Sequence, residues 1–212
     1  MCHLKLLKYL FILLCNIRRR IIFGIKRRCY YYLTNVVFIA NGIDYSTINV
    51  LGIPIVQVAR NGKCKIGEKF TCVNDAKFST LGINRRCKLL VYPRAILKIG
   101  NNVSMSNTTI VATKFVEIRN NVMIGGGVII VDSDFHSLNP THWHTSADEL
   151  CMKSSAVIIN DNVFIGMNTI ILKGVTIGHN VIIAAGSVVS KDIPNNEIWG
   201  GNPAVFIKNI SK

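Results

Sequence analysis

Between Asp132 and Thr145 the chain reads DSDFHSLNPTHWHT, placing His136, His142, His144 and Trp143 within fourteen residues. The 212-residue chain has five histidines and two tryptophans, so this stretch gathers most of its imidazole. Two chemistries are open to such a cluster. A neutral imidazole, with an unperturbed pKa of about 6.5, can take a proton from a weak nucleophile near neutral pH and return it. Alternatively, His142 and His144 could join His136 around a metal. No further cysteine or carboxylate sits at ligand spacing, so no metal site is expected. The bland reading of His136 is a loop histidine that caps a turn.

What must position these side chains is a repeat of six. From residue 99 the chain reads IGNNVS, MSNTTI, VATKFV and, after Glu117, IRNNVM, IGGGVI, IVDSDF. After a break come INDNVF, IGMNTI, ILKGVT, IGHNVI, IAAGSV and VSKDIP. Positions 159, 165, 171, 177, 183 and 189 are all Ile or Val. A period of six fits neither a helix nor one long strand. It fits short strands joined by tight turns, with one aliphatic per rung pointing into a stacked core and Asn or Gly where a turn needs positive φ. This is a β-solenoid, held by contacts between adjacent coils.

The [Ile/Val]-Gly-x-x-[Val/Thr]-x pattern resembles that of the hexapeptide-repeat acyltransferases. The resemblance covers about residues 60–210 and implies a left-handed parallel β-helix, an exception to the usual right-handed crossover. By the family's rule of three hexads per triangular coil, 99–116, 118–135, 159–176 and 177–194 are four coils. IGEKFT at 66–71 belongs to an earlier one, and 73–96 is a less regular coil with a loop. The expected organisation is a helical segment over 1–33, an irregular part with the first coil or coils over 34–98, the β-helix over 99–194, and a closing strand and tail over 195–212.

Residues 136–158 interrupt the solenoid and must loop out from a corner, and long excursions from rigid scaffolds often carry function. In the sugar O-acetyltransferases of the family such an excursion begins with the catalytic histidine, in a context similar to DFHSLNP here. The resemblance thus implies His136 as general base and direct transfer from acetyl-CoA, with no cysteine nucleophile and no metal. A backbone N–H of a neighbouring coil would stabilise the oxyanion. Asp134 or Asp132 could orient the ring. Strand alternation puts only one of them on its face, and Asp134 is preferred.

Backbone groups near Met167 and Ala185 are expected along the pantetheine arm, with Ser190 and Lys191 near the nucleotide and Lys208 as a second phosphate partner. Either lysine could instead be a solvated surface charge. The family often has Arg or Lys directly after a Gly-x-Pro-Ala/Cys motif, where this chain has Val205 after GNPA. Trp143 could offer a flat face to a sugar ring or pack the loop. His144 and His142 would contact the acceptor or face solvent. Trp199 caps the solenoid end or touches coenzyme. A homotrimer with the active site between subunits is also implied by resemblance.

Half the residues are hydrophobic, which sets a disordered chain aside. The net charge is +14, yet Lys5, Lys8, Arg18, Arg19, Arg20, Lys26, Arg27 and Arg28 all precede residue 30, with no acidic residue among them. The apolar run before RRR is about fourteen residues, too short for a bilayer span of roughly 20. At about 100° per residue, Lys5, Lys8, Asn16 and Arg19 share one helix side, the layout of a helix lying in a membrane interface beside anionic headgroups. The alternative is packing on the protein's own body or a sister subunit. A signal peptide is disfavoured because the basic residues follow the apolar run. Nucleic acid is disfavoured because no binding motif is present. Seven scattered cysteines without CxxC spacing read as free thiols in a reducing compartment.

The expectation is therefore an acetyl-CoA-dependent O-acetyltransferase acting on a sugar of a bacterial surface polysaccharide or its precursor. It would be cytoplasmic and peripheral on the inner face of the membrane. Acetylation of a small acceptor such as serine or a simple sugar, and a non-enzymatic solenoid scaffold, are the alternatives.

Overall fold

A computed structural model of the chain describes residues 2–75, 78, 82, 83 and 85–210, without the side chains of 2–8. The side chains of Lys5 and Lys8, expected on the polar side of the first helix, thus lie outside the described residues. From Asp44 onward the chain winds as a three-faced prism. Its first face stacks, in parallel, Asp44–Tyr45, Lys63–Ile66, Ile96–Ile99, Phe115–Ile118, Val157–Ile159 and Thr176–Ile177. The second stacks Ile48–Leu51, Phe70–Val73, Ser104–Ser106, Met123–Ile124, Phe164–Ile165 and Ile182–Ile183, closed by Glu197–Gly201 and the antiparallel Ala204–Asn209. The third stacks Ile55–Val58, Lys88–Val91, Thr109–Ala112, Ile129–Val131, Ile170–Ile171 and Val188–Val189.

The six-residue period is the physical cause of this shape. Ile159, Ile165, Ile171, Ile177 and Ile183 are fully buried and Val189 nearly so. The fifth hexad position is buried too: Val163, Thr169, Val175, Val181 and Ser187. Each face therefore sends two residues inward per hexad, where the sequence pattern predicted one. The small second residue is a matter of approach. A Cβ on Gly166 would lie 2.4 Å from the Ala185 nitrogen, and one on Gly125 2.6 Å from that of Met167.

Six coils are present, two of them ahead of residue 96. The first, over Asp44–Val58, was not expected as a regular coil. Its turns use Gly52 and Pro54 in place of the Asn and Gly pairs of later coils. The break at 73–96 resolves into a second coil with an excursion between the second and third faces. Asn74, buried, pins its neck by donating to the carbonyls of Gly52 and Cys72 and accepting from the Cys87 N–H. Cys64, Cys72 and Cys87 are buried free thiols, and burial pushes Cys64 up to about 12.

The corner between the first and second faces carries no excursion. Asn102, Asn121, Asn162, Asn180 and Asn196 there adopt left-handed φ of 55–64°. Their amides form a ladder, Asn102 donating to Asn121 at 2.9 Å, Asn121 to Asn162 at 3.2 Å, Asn162 to Asn180 at 3.0 Å and Asn180 to Asn196 at 2.9 Å. Asparagine tolerates this conformation and its side chain can bridge successive coils, which explains the recurrent NN, DN and HN.

Helix α1 spans Cys2–Ala40, seven residues beyond the expected segment and about 58 Å long. Among the described residues, docking is confined to its C-terminal half. Thr34 and Phe38, one turn apart, are fully buried against the first coil, and Phe38 meets the Tyr45 ring edge-on at 5.2 Å. Gly42, at φ 64°, stops the helix. Gly42 N–H donates to Ile39 O and Ile43 N–H to Phe38 O, both at 3.0 Å, while Ile43 and Phe38 are both buried. This is the Schellman ending with its apolar contact.

Candidate active site

The histidine-bearing excursion leaves the corner between the third and first faces, after Ile129–Val131 and before Val157–Ile159. Its neck is a short antiparallel clasp: Ser133 bridges Ser154, Asp134 N–H donates to Lys153 O, and Ser155 N–H donates to Asp132 O. Below the neck Asp132 is fully buried. Its two oxygens accept from the N–H and hydroxyl of Thr113 and the N–H groups of Lys114 and Phe115, all within 2.7–2.8 Å. Asp132 thus holds the corner of the preceding coil and is not free to touch the imidazole.

Phe135 takes φ 63°, costly for an aromatic residue by about 1–3 kcal/mol. Its N–H donates to Ser133 Oγ at 2.9 Å, which holds the bend. The bend delivers His136 to helix α2 (Ser146–Leu150), whose N-cap Thr145 accepts from Ala147 N–H. Asp148 in the first turn of α2 meets His136 there: Oδ2 lies 2.7 Å from Nδ1, and Oδ1 accepts from Ser137 N–H, also at 2.7 Å. The His136 hydrogen bond, followed by that from Ser137, holds the Asp148 carboxyl below the usual carboxylate range. An ionised carboxylate can only accept, which assigns the ring proton to Nδ1 and leaves the Nε2 lone pair outward. The His136 side chain is 72% exposed, so that lone pair is accessible.

This corrects the expected orienter. Asp134 does not face His136: its Oδ1 pairs with Lys173 at 2.8 Å, and its Oδ2 is buried without a partner among the described residues. Asp148 was missed because it lies twelve residues away and reaches His136 only once α2 forms. The Thr145-x-x-Asp148 spacing, a helix-start signature, was the available signal.

The other loop residues divide. Trp143 is half exposed, and its Nε1 donates to Ser137 O at 2.8 Å, so the indole braces the loop with part of its face open. His142 is held by Ser137 Oγ and the Asn139 amide, while His144 stays exposed at φ 62°. The described residues contain no group of three ligands suited to a metal.

Met167 and Ala185 lie at a different corner, between the second and third faces, where they line a groove of about 510 Å³ with Gly126, Phe164 and Phe78 of the earlier excursion. Their N–H groups donate to no partner among the described residues. Ser190 and Lys191 are exposed on the turn after the last third-face strand, at the corner shared with the His136 excursion. Lys208 sits on the closing strand opposite Ile198. Trp199, between Ile183 and Phe206 in that sheet, packs on the core and donates to Glu197. A single chain therefore brings His136 together with Asp148, and Met167 with Ala185, but does not bring the two pairs together.

The chain matches the family described as Bacterial transferase hexapeptide (six repeats) over residues 156–191. It is 28% identical over 174 residues to a protein named as a lipopolysaccharide biosynthesis O-acetyl transferase, WbbJ of Escherichia coli (strain K12), covering 80% of this chain and 83% of the relative. It is 35% identical over 141 residues to the galactoside O-acetyltransferase of the same strain, covering 63% and 65%. A galactoside acetyltransferase solved in complex with coenzyme A superposes with a TM-score of 0.51 at 26% identity, over 79% of this chain and 66% of that one. The chain thus spans just under two thirds of the galactoside enzymes' length. The solenoid is of the left-handed β-helix type, and the chain is similar to O-acetyltransferases that carry the hexapeptide repeat.

Proposed function

We propose that the protein transfers acetyl from acetyl-CoA directly to a sugar hydroxyl of a bacterial surface polysaccharide or its precursor, with His136 as general base. The observation that carries this reading is the His136–Asp148 pair, 2.7 Å apart, at the lip of an excursion from a hexapeptide solenoid. His136 Nε2 accepts the hydroxyl proton as the oxygen attacks the thioester carbonyl. The tetrahedral intermediate collapses, the carbon–sulfur bond breaks, and the imidazolium returns its proton to the departing thiolate. Asp148 keeps the ring in the required tautomer and supports the transient positive charge. The polysaccharide acceptor is supported by the likeness to WbbJ.

Acetyl-CoA is assigned to the Met167–Ala185 groove, where the two free N–H groups suit the amides of an extended pantetheine arm. Ser190, Lys191 and Lys208 are candidates for the nucleotide end, and Trp143 and His144 for the sugar. Because the groove and the excursion occupy different corners of one prism, a working site needs the excursion of one protomer beside the groove of another. A closed homotrimer supplies that at each of its interfaces. Helix α1 supports docking on the inner face of the cytoplasmic membrane. Its Tyr9, Leu10, Phe11, Ile12, Leu13 and Leu14 are all exposed, and among the described residues no helix is long and apolar enough to cross a membrane.

The test is His136→Ala, assayed with labelled acetyl-CoA and a panel of glycans. A loss of roughly 10²–10⁴-fold in transfer with unchanged unfolding is expected. Full transfer by the variant removes the assignment, and absence of CoA binding by the wild type favours a non-enzymatic scaffold.

A further inference from the structure

Beside the docked root of α1 lies a second cavity, of about 430 Å³, lined by Gly24, Arg27, Arg28, Tyr31 and Tyr32 of the helix and by Ile48, Asn49 and Val50 of the first coil. The five helix positions follow i, i+3, i+4, i+7 and i+8, a single stripe facing the coil. Gly24 leaves a gap in that stripe, since a Cβ there would meet nothing within 4 Å. Arg27 Nη2 donates to Asn49 Oδ1 at 3.1 Å, which fixes the guanidinium at the cavity wall. No carboxylate lines the cavity, and no arginine of α1 forms an ion pair among the described residues. Two arginines and two tyrosines thus line a space whose lining holds no carboxylate.

The placement along the helix says what anion reaches it. Residues 9–14 are apolar around the whole circumference, because six consecutive positions at about 100° each leave no polar side. That stretch suits burial in the outer part of a leaflet, with the helix lying in the interface. Arg27 is ten residues beyond Ile17, the last residue before the basic run, or about 15 Å along the axis. The headgroup layer is only roughly 5–8 Å deep. With residues 9–14 in hydrocarbon and α1 at a shallow angle to the membrane plane, that axial distance brings the cavity to the headgroup edge, where phosphate is dense.

We propose that the Gly24–Tyr32 cavity binds the phosphate of an anionic lipid headgroup while residues 9–14 of α1 sit in one leaflet. The proposal rests on the membrane reading above and adds a specific site to it. Guanidinium matters here because its fork pairs two phosphate oxygens at once, which an ammonium cannot do.

The test uses the full chain with phosphatidylglycerol-containing vesicles and with pure phosphatidylcholine vesicles. Variants Arg27→Lys/Arg28→Lys and Arg18→Lys/Arg19→Lys keep the charge at and away from the cavity, and unchanged acetyl-CoA affinity reports folding. The expected result is binding to anionic vesicles, weakened about tenfold by the cavity pair and unaltered by the control pair. Equal behaviour of the two pairs, or equal wild-type binding to both vesicle types, overturns the cavity while leaving membrane docking intact. Failure of the wild type to bind either vesicle overturns both. Calorimetry with inorganic pyrophosphate alone separates the sources: tight binding there that is lost in the cavity pair, without a vesicle effect, assigns the cavity to a free phosphate and overturns the lipid.

Discussion

At the turn from the first face to the second, five asparagines in left-handed conformation pass side-chain hydrogen bonds from coil to coil, and nothing leaves the prism. At the turn from the third face to the first, one buried carboxylate, Asp132, gathers four donors from the coil below, and the chain above departs for some twenty residues. Both corners satisfy the turn's polar groups. The first does so in a repeating ladder, spreading each contribution thinly over many coils. The second concentrates it in one side chain, which leaves the sequence beyond it free to carry chemistry. Regular corners make the scaffold stiff, and the irregular one uses that stiffness to present His136.

The sharpest way to break this contrast is Asp132→Ala. Four donors lose their acceptor in a buried setting, and a loss of about 3–5 kcal/mol in unfolding free energy is expected, after allowing for water entry. Chemical denaturation of the folded fraction measures it, and a cost below about 1 kcal/mol would place the corner's stability elsewhere.

Asp148→Asn comes next and should leave the prism untouched. Transfer is expected to fall about ten- to a hundredfold, since the ring loses its fixed orientation and tautomer. The unfolding midpoint should move little, because Asp148 lies on the excursion. The carboxyl of Asp148 is depressed, so its contribution to the loop is complete above the usual aspartate value of about 3.9 and is lost only as pH falls through its lower folded value. Loop protection from proteolysis in the wild type should therefore survive acidification through pH 4, and in Asp148→Asn it should be weak throughout.

The smallest effect belongs to the ladder. Asn121→Ala forces alanine into φ 57° and removes two amide contacts, for about 1–2 kcal/mol, with transfer unchanged. Asn121→Gly should recover part of the loss by relieving the backbone, and calorimetric midpoints of the three proteins give the order.

Much of the scaffold was written plainly in the sequence. The aliphatic positions from 159 to 189 announce the core because each coil must present the same apolar group at the same place. The coil at Asp44–Val58 lacked that signal, since α1 covers its end and the small residue after each aliphatic is missing. The place of His136 was legible from the interruption. Its partner was not, because Asp148 and Asp134 are equally acidic in sequence and only the clasp and α2 decide which reaches the ring. The separation of His136 from Met167 and Ala185 was equally hidden, since it depends on which face each hexad occupies.

That separation yields the most direct test. His136→Ala removes the base from one corner, and Ala185→Trp fills the groove at another, so each protein alone should be nearly inactive. Mixed after dissociation and reassembly at equal amounts, they should regain about a quarter of wild-type transfer, the share of random interfaces pairing an intact histidine with an intact groove. Activity that stays at the level of the separate variants, in particles shown to have exchanged subunits, would contradict a site built between copies.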